Sequence, residues 1–191
     1  KGSAQRLAPE LLSDVVQPEG GVEDLTHSVS KISLRRVLKN NPLLNKCSNA
    51  DLDKITGHVS FKQYPAGHAL IRQDDIDQTL FIVTEGEVDV YVDGELRSTE
   101  KSPEVCGEMS VVEGGPRQAS VVCGTECKAV AINKKALRFL IKKHPYVWKD
   151  IIRMAQERKT YNSEFKKQSA GEEGDDPHGD EAGDGAVGGD S

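Results

Sequence analysis

From His58 to Ile132 the chain breaks into short runs, HVSFKQY, HALIRQ, QTLFIVT, EVDVYV, ELRST, ASVVC and CKAVAI, each rich in β-branched or aromatic residues. Pro65-Ala66-Gly67, Glu85-Gly86, Asp93-Gly94 and Gly124-Thr125 punctuate them, and Asp-Gly between alternating runs is a strong hairpin signal. Strands this short and this closely spaced leave no room for crossover helices, so the sheets must be antiparallel. The spacing therefore predicts about seven or eight strands closed into a sandwich or barrel.

Helical periodicity brackets this region. ISLRRVLKN carries Ile32, Leu34, Val37 and Leu38 at helical spacing and stops at Asn40-Asn41-Pro42, and SNADLDKITGHV opens on a Ser48 or Asn49 cap. After the last strand, Asn133 caps NKKALRFLIKKH, and Pro145 starts a second helix, YVWKDIIRMAQERKTYNSEFKKQ. In that helix Val147, Ile151, Met154, Ala155, Arg158 and Phe165 lie close to one stripe. The expected fold class is mainly β with flanking helices: an eight-stranded antiparallel β-roll of jelly-roll type, N-terminal helices and two C-terminal helices. Residues 1–30 are expected to be mostly irregular, 31–160 to form the folded domain, and 161–191 to hold the helix end and a disordered acidic tail.

The formal charge of −6 is unevenly distributed. Residues 168–191 carry five Asp and three Glu with no Lys or Arg, which leaves residues 1–167 close to neutral. A phosphate-tracking protein concentrates Lys and Arg on one face, so the balance argues against a nucleic-acid partner. No apolar run approaches the roughly 20 residues that span a bilayer, and the N-terminus lacks the charged-then-apolar order of a signal peptide. No direct membrane insertion and a cytoplasmic location are expected. Cys47, Cys106, Cys123 and Cys127 show no CxxC pairing, so they read as free buried thiols. Metal-binding enzymes of similar β-roll architecture need several converging histidines, but His58 and His68 are isolated and no nucleophile has a readable base. No enzyme activity, metal or cofactor is expected.

The chemistry concentrates in Cys106 to Val121, CGEMSVVEGGPRQASV. Gly107 permits close backbone approach, and EMSVV is long enough for one helical turn whose unpaired amides favour an anion. Arg117, returned by the Gly114-Gly115-Pro116 corner, offers a guanidinium to the same anion, and the amides of Gln118 and Ala119 add donors. Glu108 accepts only, so beside an anion it must face a hydroxyl donor or pair with Arg117. An anion with a neighbouring hydroxyl describes a sugar phosphate; a plain Glu108–Arg117 ion pair across the loop is the structural alternative.

The stretch resembles the phosphate-binding cassette of the cyclic nucleotide-binding domain family, with Gly107, Glu108, Met109, Ser110, Pro116, Arg117, Ala119, Ser120 and Val121 on its pattern without a gap. YPAGHALIRQDD and LFIVTEGEVDVYVDGE resemble the family's preceding strands, so the likeness covers about Leu34 to Lys159. The resemblance implies that Glu108 accepts from the ribose 2′-hydroxyl beside the Gly107 amide. It implies that Arg117 and the Ala119 amide meet the cyclic phosphate, and that Met109, Ser110 and Val121 line the pocket. Pro116 and Gln118 complete the candidate ligand-binding set, with Tyr161 or Phe165 as a lid over the base.

The sequence departs from the pattern at Cys106, where a Phe is usual, and at Asp74, where a Gly is usual. Asp tolerates left-handed backbone, so that turn survives. Gln118 is neither the Ala common in cAMP-binding members nor the hydroxyl associated with cGMP. The expected function is a regulatory module without chemistry of its own that binds cAMP in preference to cGMP and signals to an effector domain or subunit. The rivals are a degenerate fold serving protein interaction, or a site for a different nucleoside.

Overall fold

The computed structural model describes residues 21–171, with side chains through Glu164; the expectations for residues 1–20 and for 172–191 lie outside the described residues. The chain runs through β1 (Glu23–Asp24), α1 (Lys31–Asn40), α2 (Asn49–Ile55), a 3-10 turn (Thr56–His58), β2 (Val59–Tyr64) and β3 (Ala69–Ile71). It continues through β4 (Leu80–Glu85), β5 (Glu87–Val92), β6 (Glu95–Lys101), β7 (Glu104–Cys106), α3 (Glu108–Glu113), β8 (Ser120–Cys123), β9 (Cys127–Ile132), α4 (Lys134–Lys143) and α5 (Pro145–Gly171). Two antiparallel sheets form the roll, one in the order β1-β2-β9-β4-β7 and the other β3-β8-β5-β6. Mainly β architecture with flanking helices is what the periodicities predict.

Two elements differ from the sequence reading. Asp24 and its neighbour form a short strand on the edge of β2 within the segment expected to be irregular, fastened by the Thr26 hydroxyl, which accepts from the Phe61 amide at 2.8 Å. β7 is a three-residue strand whose period is too short to read from sequence, and it is the strand that delivers the chain to Gly107.

Side-chain alternation along β4 and β9 decides where the core sits. Leu80 and Ile82 on β4, with Val130 and Ile132 on β9, face the helices, where they meet Leu38, Leu44, Leu52, Leu140 and Ile151. Phe81 and Val83, with Cys127 and Ala129, point the other way into the roll. A strand apolar on both faces is what a layer buried between a second sheet and a helical cover requires. All four cysteines are buried and free. α1, α2 and α4 start at side-chain caps, Ser30, Ser48 and Asn133, each accepting an amide three residues on. Among the described residues no helix is long and apolar enough to cross a membrane.

Turn chemistry fixes the hairpins. Asp93 (φ 53°) and Gly94 (φ 78°) are both left-handed, the requirement of the two-residue turn between β5 and β6. Asp74 takes φ 69°, so the turn does survive without glycine.

α5 packs against α3 and α4, and its Val147 and Ile151 join the main core cluster, with Ala155 also buried. Ile151→Ala leaves a cavity under that helix and is expected to lower stability by about 2–4 kcal/mol, read as a shift of the urea midpoint.

Candidate functional site

A cavity of about 480 Å³ opens between α3, β6 and α5, and Gly107, Glu108, Met109, Ser110, Arg117, Gln118, Ala119, Val121 and Tyr161 all line it. Pro116 is exposed in the corner before Arg117 and outside that lining. Phe165 lies on α5, with its side chain outside the described part.

β7 ends at Gly107, whose φ of 91° favours glycine. A Cβ here would overlap the Arg117 guanidinium and stand 2.9 Å from the Thr79 carbonyl oxygen. Glycine is therefore required both by the backbone and by the arginine lying against it. α3 follows as a short helix, and Gly114 and Gly115, both at positive φ, turn the chain back toward Arg117.

Arg117 is 3% exposed. Its Nη1 donates to the Gly107 carbonyl at 3.1 Å and to Ser110 Oγ at 2.8 Å, and its Nη2 donates to Asp77 Oδ2 at 2.7 Å and to the Thr79 carbonyl at 2.6 Å. A guanidinium carries five N–H donors, so these four bonds occupy every terminal proton and leave Nε–H. The backbone is tied as well: the Arg117 amide donates to Asp75 O and the Asp74 amide donates to Arg117 O, both at 2.9 Å.

Glu108 does not pair with Arg117. It is 1% exposed, its Oε2 accepts from Arg158 Nη1 at 3.1 Å, and its Oε1 is buried with no hydrogen-bond partner among the described residues. Arg158 also pairs with Glu104. Next along α5, Lys159 Nζ donates to Glu113 Oε1 at 2.9 Å, and Gln118 Nε2 donates to Glu113 Oε2 at 2.6 Å. Two residues further, the Tyr161 hydroxyl donates to the Arg97 carbonyl at 3.2 Å. Arg158, Lys159 and Tyr161 of α5 thus stitch it to α3, β7 and β6 around the cavity.

Residues 61–144 match the family model described as the cyclic nucleotide-binding domain. This part of the chain belongs to the cyclic nucleotide-binding domain family. A cAMP-dependent protein kinase regulatory subunit of Neurospora crassa is 29% identical over 118 residues, covering 59% of this chain and 31% of that protein. The chain spans about a third of that relative's length. Among solved structures, cAMP-bound PfPKA-R superposes with a TM-score of 0.65 at 18% identity, over 74% of this chain and 49% of that one. The regulatory subunit of a cAMP-independent protein kinase A from Trypanosoma brucei gives 0.60 at 22% identity, over 71% of this chain and 51% of that one. At these identities the structures establish the fold alone.

Within this cyclic nucleotide-binding domain, electrostatics follow from burial and pairing. Burial disfavours the Arg158 charge, but Glu108 and Glu104 outweigh it and hold the guanidinium well above its ordinary value. Burial raises Glu104 by more than the Arg158 charge lowers it. Burial also pushes the Cys106 thiol up to about 12, so this cysteine beside the site is inert as a nucleophile. Asp77 is pushed up by burial, yet the hydrogen bonds from Arg117 and Thr79 prevail and lower it.

Sequence reasoning missed Asp77, Glu104, Arg97 and Arg158. Asp77 was hidden in the acidic run Asp74-Asp75-Ile76-Asp77, where nothing local separates it from its neighbours. Arg158 had a readable signal, a cation on the apolar stripe of α5.

Asp77→Asn removes the one carboxylate on Arg117. The side chain is 51% exposed, so screening limits the expected loss to about 1 kcal/mol. Because its folded pKa is lowered, the contribution is complete above the unfolded value of 3.8 and is lost as pH falls through the lower folded value. Urea titrations of the two proteins should differ at neutral pH and converge in acid below 3.8.

Proposed function

We propose that the chain is a regulatory module that binds a cyclic nucleotide, cAMP ahead of cGMP, and reports occupancy through α3 and α5 to an effector domain or subunit. The observation that carries this reading is the buried Glu108 Oε1 without a partner, on a cavity that Arg117 also lines. An unpartnered buried carboxylate oxygen costs free energy until a donor reaches it, and a ribose hydroxyl supplies that donor. On this reading the Gly107 amide supports the same edge, and the phosphate takes Arg117 Nε–H with the Ala119 amide. Met109, Ser110 and Val121 enclose the sugar.

Gln118 favours adenine. With its amide nitrogen committed to Glu113, it presents the carbonyl oxygen as an acceptor, which suits the 6-amino group and opposes the 6-oxo group of guanine. Tyr161 closes the base end from α5.

Coupling follows from Arg158. The same Glu108 that would hold the ribose also holds α5, so ligand and helix bias one carboxylate. A ligand shifts the helix only by its differential affinity for the two arrangements. No step in this module makes or breaks a covalent bond, and no cofactor is required.

A second reading is a neutral nucleoside ligand. Four internal acceptors already occupy the terminal protons of Arg117, so a phosphate gains less there than at a free guanidinium. The similarity to a subunit described as cAMP-independent is in line with this alternative.

Calorimetry with cAMP, cGMP and adenosine distinguishes them. cAMP is expected to bind tightest, and Arg117→Ala to weaken it at least about tenfold, roughly 1.4 kcal/mol, and to weaken adenosine by less, since adenosine loses only the positioning of the cavity wall. Adenosine binding as tightly as cAMP selects the nucleoside reading. No binding of any of the three at millimolar concentration selects a protein-interaction module.

Arg158→Ala is expected to speed hydrogen exchange in α5 without ligand, and to shrink the protection that saturating cAMP gives that helix. Equal protection in both proteins would remove Arg158 from the coupling.

A further inference from the structure

α4 carries Lys134, Lys135, Arg138, Lys142 and Lys143 within ten residues and no acidic residue. All five are exposed, and none has an ion pair or side-chain hydrogen bond among the described residues. Elsewhere on the domain, Arg35, Lys54, Lys101, Lys128, Arg153 and Lys159 are each paired with a carboxylate; Lys31, Arg36, Arg72 and Lys149 are exposed without an ion pair among the described residues, but no other described helix or strand gathers five such cations. Beside α4 lies a groove of about 300 Å³ whose apolar lining, Val111, Leu137, Ile141 and Trp148, is flanked by Lys134 and Arg138. It is built from α3, α4 and α5 together, away from the nucleotide cavity.

The same chain holds the complementary charge. Residues 172–191 carry five Asp, three Glu and no Lys or Arg, with Ala186-Val187 as a short apolar pair. We infer that residues 172–191 dock on the α4 face, their carboxylates against its unpaired cations and Ala186-Val187 in the groove.

Reach permits it. From Trp148 to the end of α5 is about 35 Å along the helix, and twenty residues extend to about 66 Å. Tethering puts the tail at millimolar effective concentration, so a weak contact is populated. Five exposed like charges on one helix repel each other, and a polyanion relieves that repulsion at little desolvation cost. Seated there, the tail would touch α3 through Val111 and α5 through Trp148, the two elements that also frame the nucleotide cavity. The inference does not depend on what that cavity binds.

The test is zero-length carboxyl–amine cross-linking of the full chain, read by mass spectrometry, in about 20 mM and about 500 mM salt, which change the Debye length several-fold. Links from Glu172, Glu173, Asp175, Asp176, Asp180, Glu181, Asp184 and Asp190 are expected to concentrate on Lys134, Lys135, Lys142 and Lys143. The expected excess is at least about fivefold per lysine over the exposed Lys31 and Lys101, falling to parity in high salt as screening removes the attraction. Because the α4 cations are exposed, Lys134→Ala with Arg138→Ala keeps the fold, checked by circular dichroism, and should reduce links at the remaining α4 lysines. An even spread over all lysines, or links unchanged by salt, overturns the proposal. An equimolar mixture of isotope-labelled and unlabelled chains in which about half of the links join a labelled to an unlabelled chain, the share random intermolecular pairing gives, would assign the face to a second copy and overturn it equally.

Discussion

The buried guanidinium of Arg117 is the constraint around which the site is arranged. A cation at 3% exposure loses most of its hydration, and the protein must return hydrogen bonds from fixed oxygens or leave the group uncompensated. The oxygens come from three separate segments: the Asp77–Thr79 approach to β4, the Gly107 carbonyl at the end of β7, and Ser110 on α3. Each of those segments is therefore positioned by the arginine as much as by its own strand or helix. Gly107 shows the cost of the arrangement, since any side chain there would displace the guanidinium.

That anchoring lets a small helix behave as part of a rigid wall. α3 has only six residues, too few to be stable by its own hydrogen bonds. It is fixed at its start by the Arg117–Gly107 contact and from outside by α5, through Glu108 and Glu113. Glu113 is the pivot between the two, holding Gln118 of the cassette and Lys159 of α5 on its two oxygens. Gln118 and α5 are thereby mechanically linked through one exposed carboxylate.

The fold was legible in the sequence because its signals are periodic and local. Alternation in LFIVTE and CKAVAI, Asp93-Gly94 at the hairpin and Asn133 before α4 each act over a few residues, and the structure follows them. The identity of the cassette was legible for a different reason, since its spacing from Gly107 to Val121 is continuous. What was not legible was the pairing. Glu108 and Arg117 are nine positions apart and of opposite charge, yet Glu108 turns to Arg158, fifty residues on, and Arg117 to Asp77, forty residues back. Such choices depend on which side chains the roll brings together, and no local pattern encodes them. β7 was missed for a similar reason: three residues gain strand geometry only from pairing with β4.

The two pairings also differ in how easily a ligand can change them. Asp77 is half-exposed, so water can replace Arg117 at its surface, and a phosphate arriving at Nε–H adds to the arginine's bonds without having to displace a buried partner. Glu108 is fully buried and shares one oxygen with Arg158, while its other oxygen has no partner among the described residues. A hydroxyl at that second oxygen completes the carboxylate without competing with Arg158. Occupancy of the cavity is then compatible with a closed α5, and it strengthens that closure by removing the desolvation penalty that the empty oxygen bears. A ligand that instead needed Arg158's place on Glu108 would drive the helix outward. On the proposed reading, the division of labour between the two oxygens of Glu108 would set the direction of a switch in which nucleotide and helix bind cooperatively.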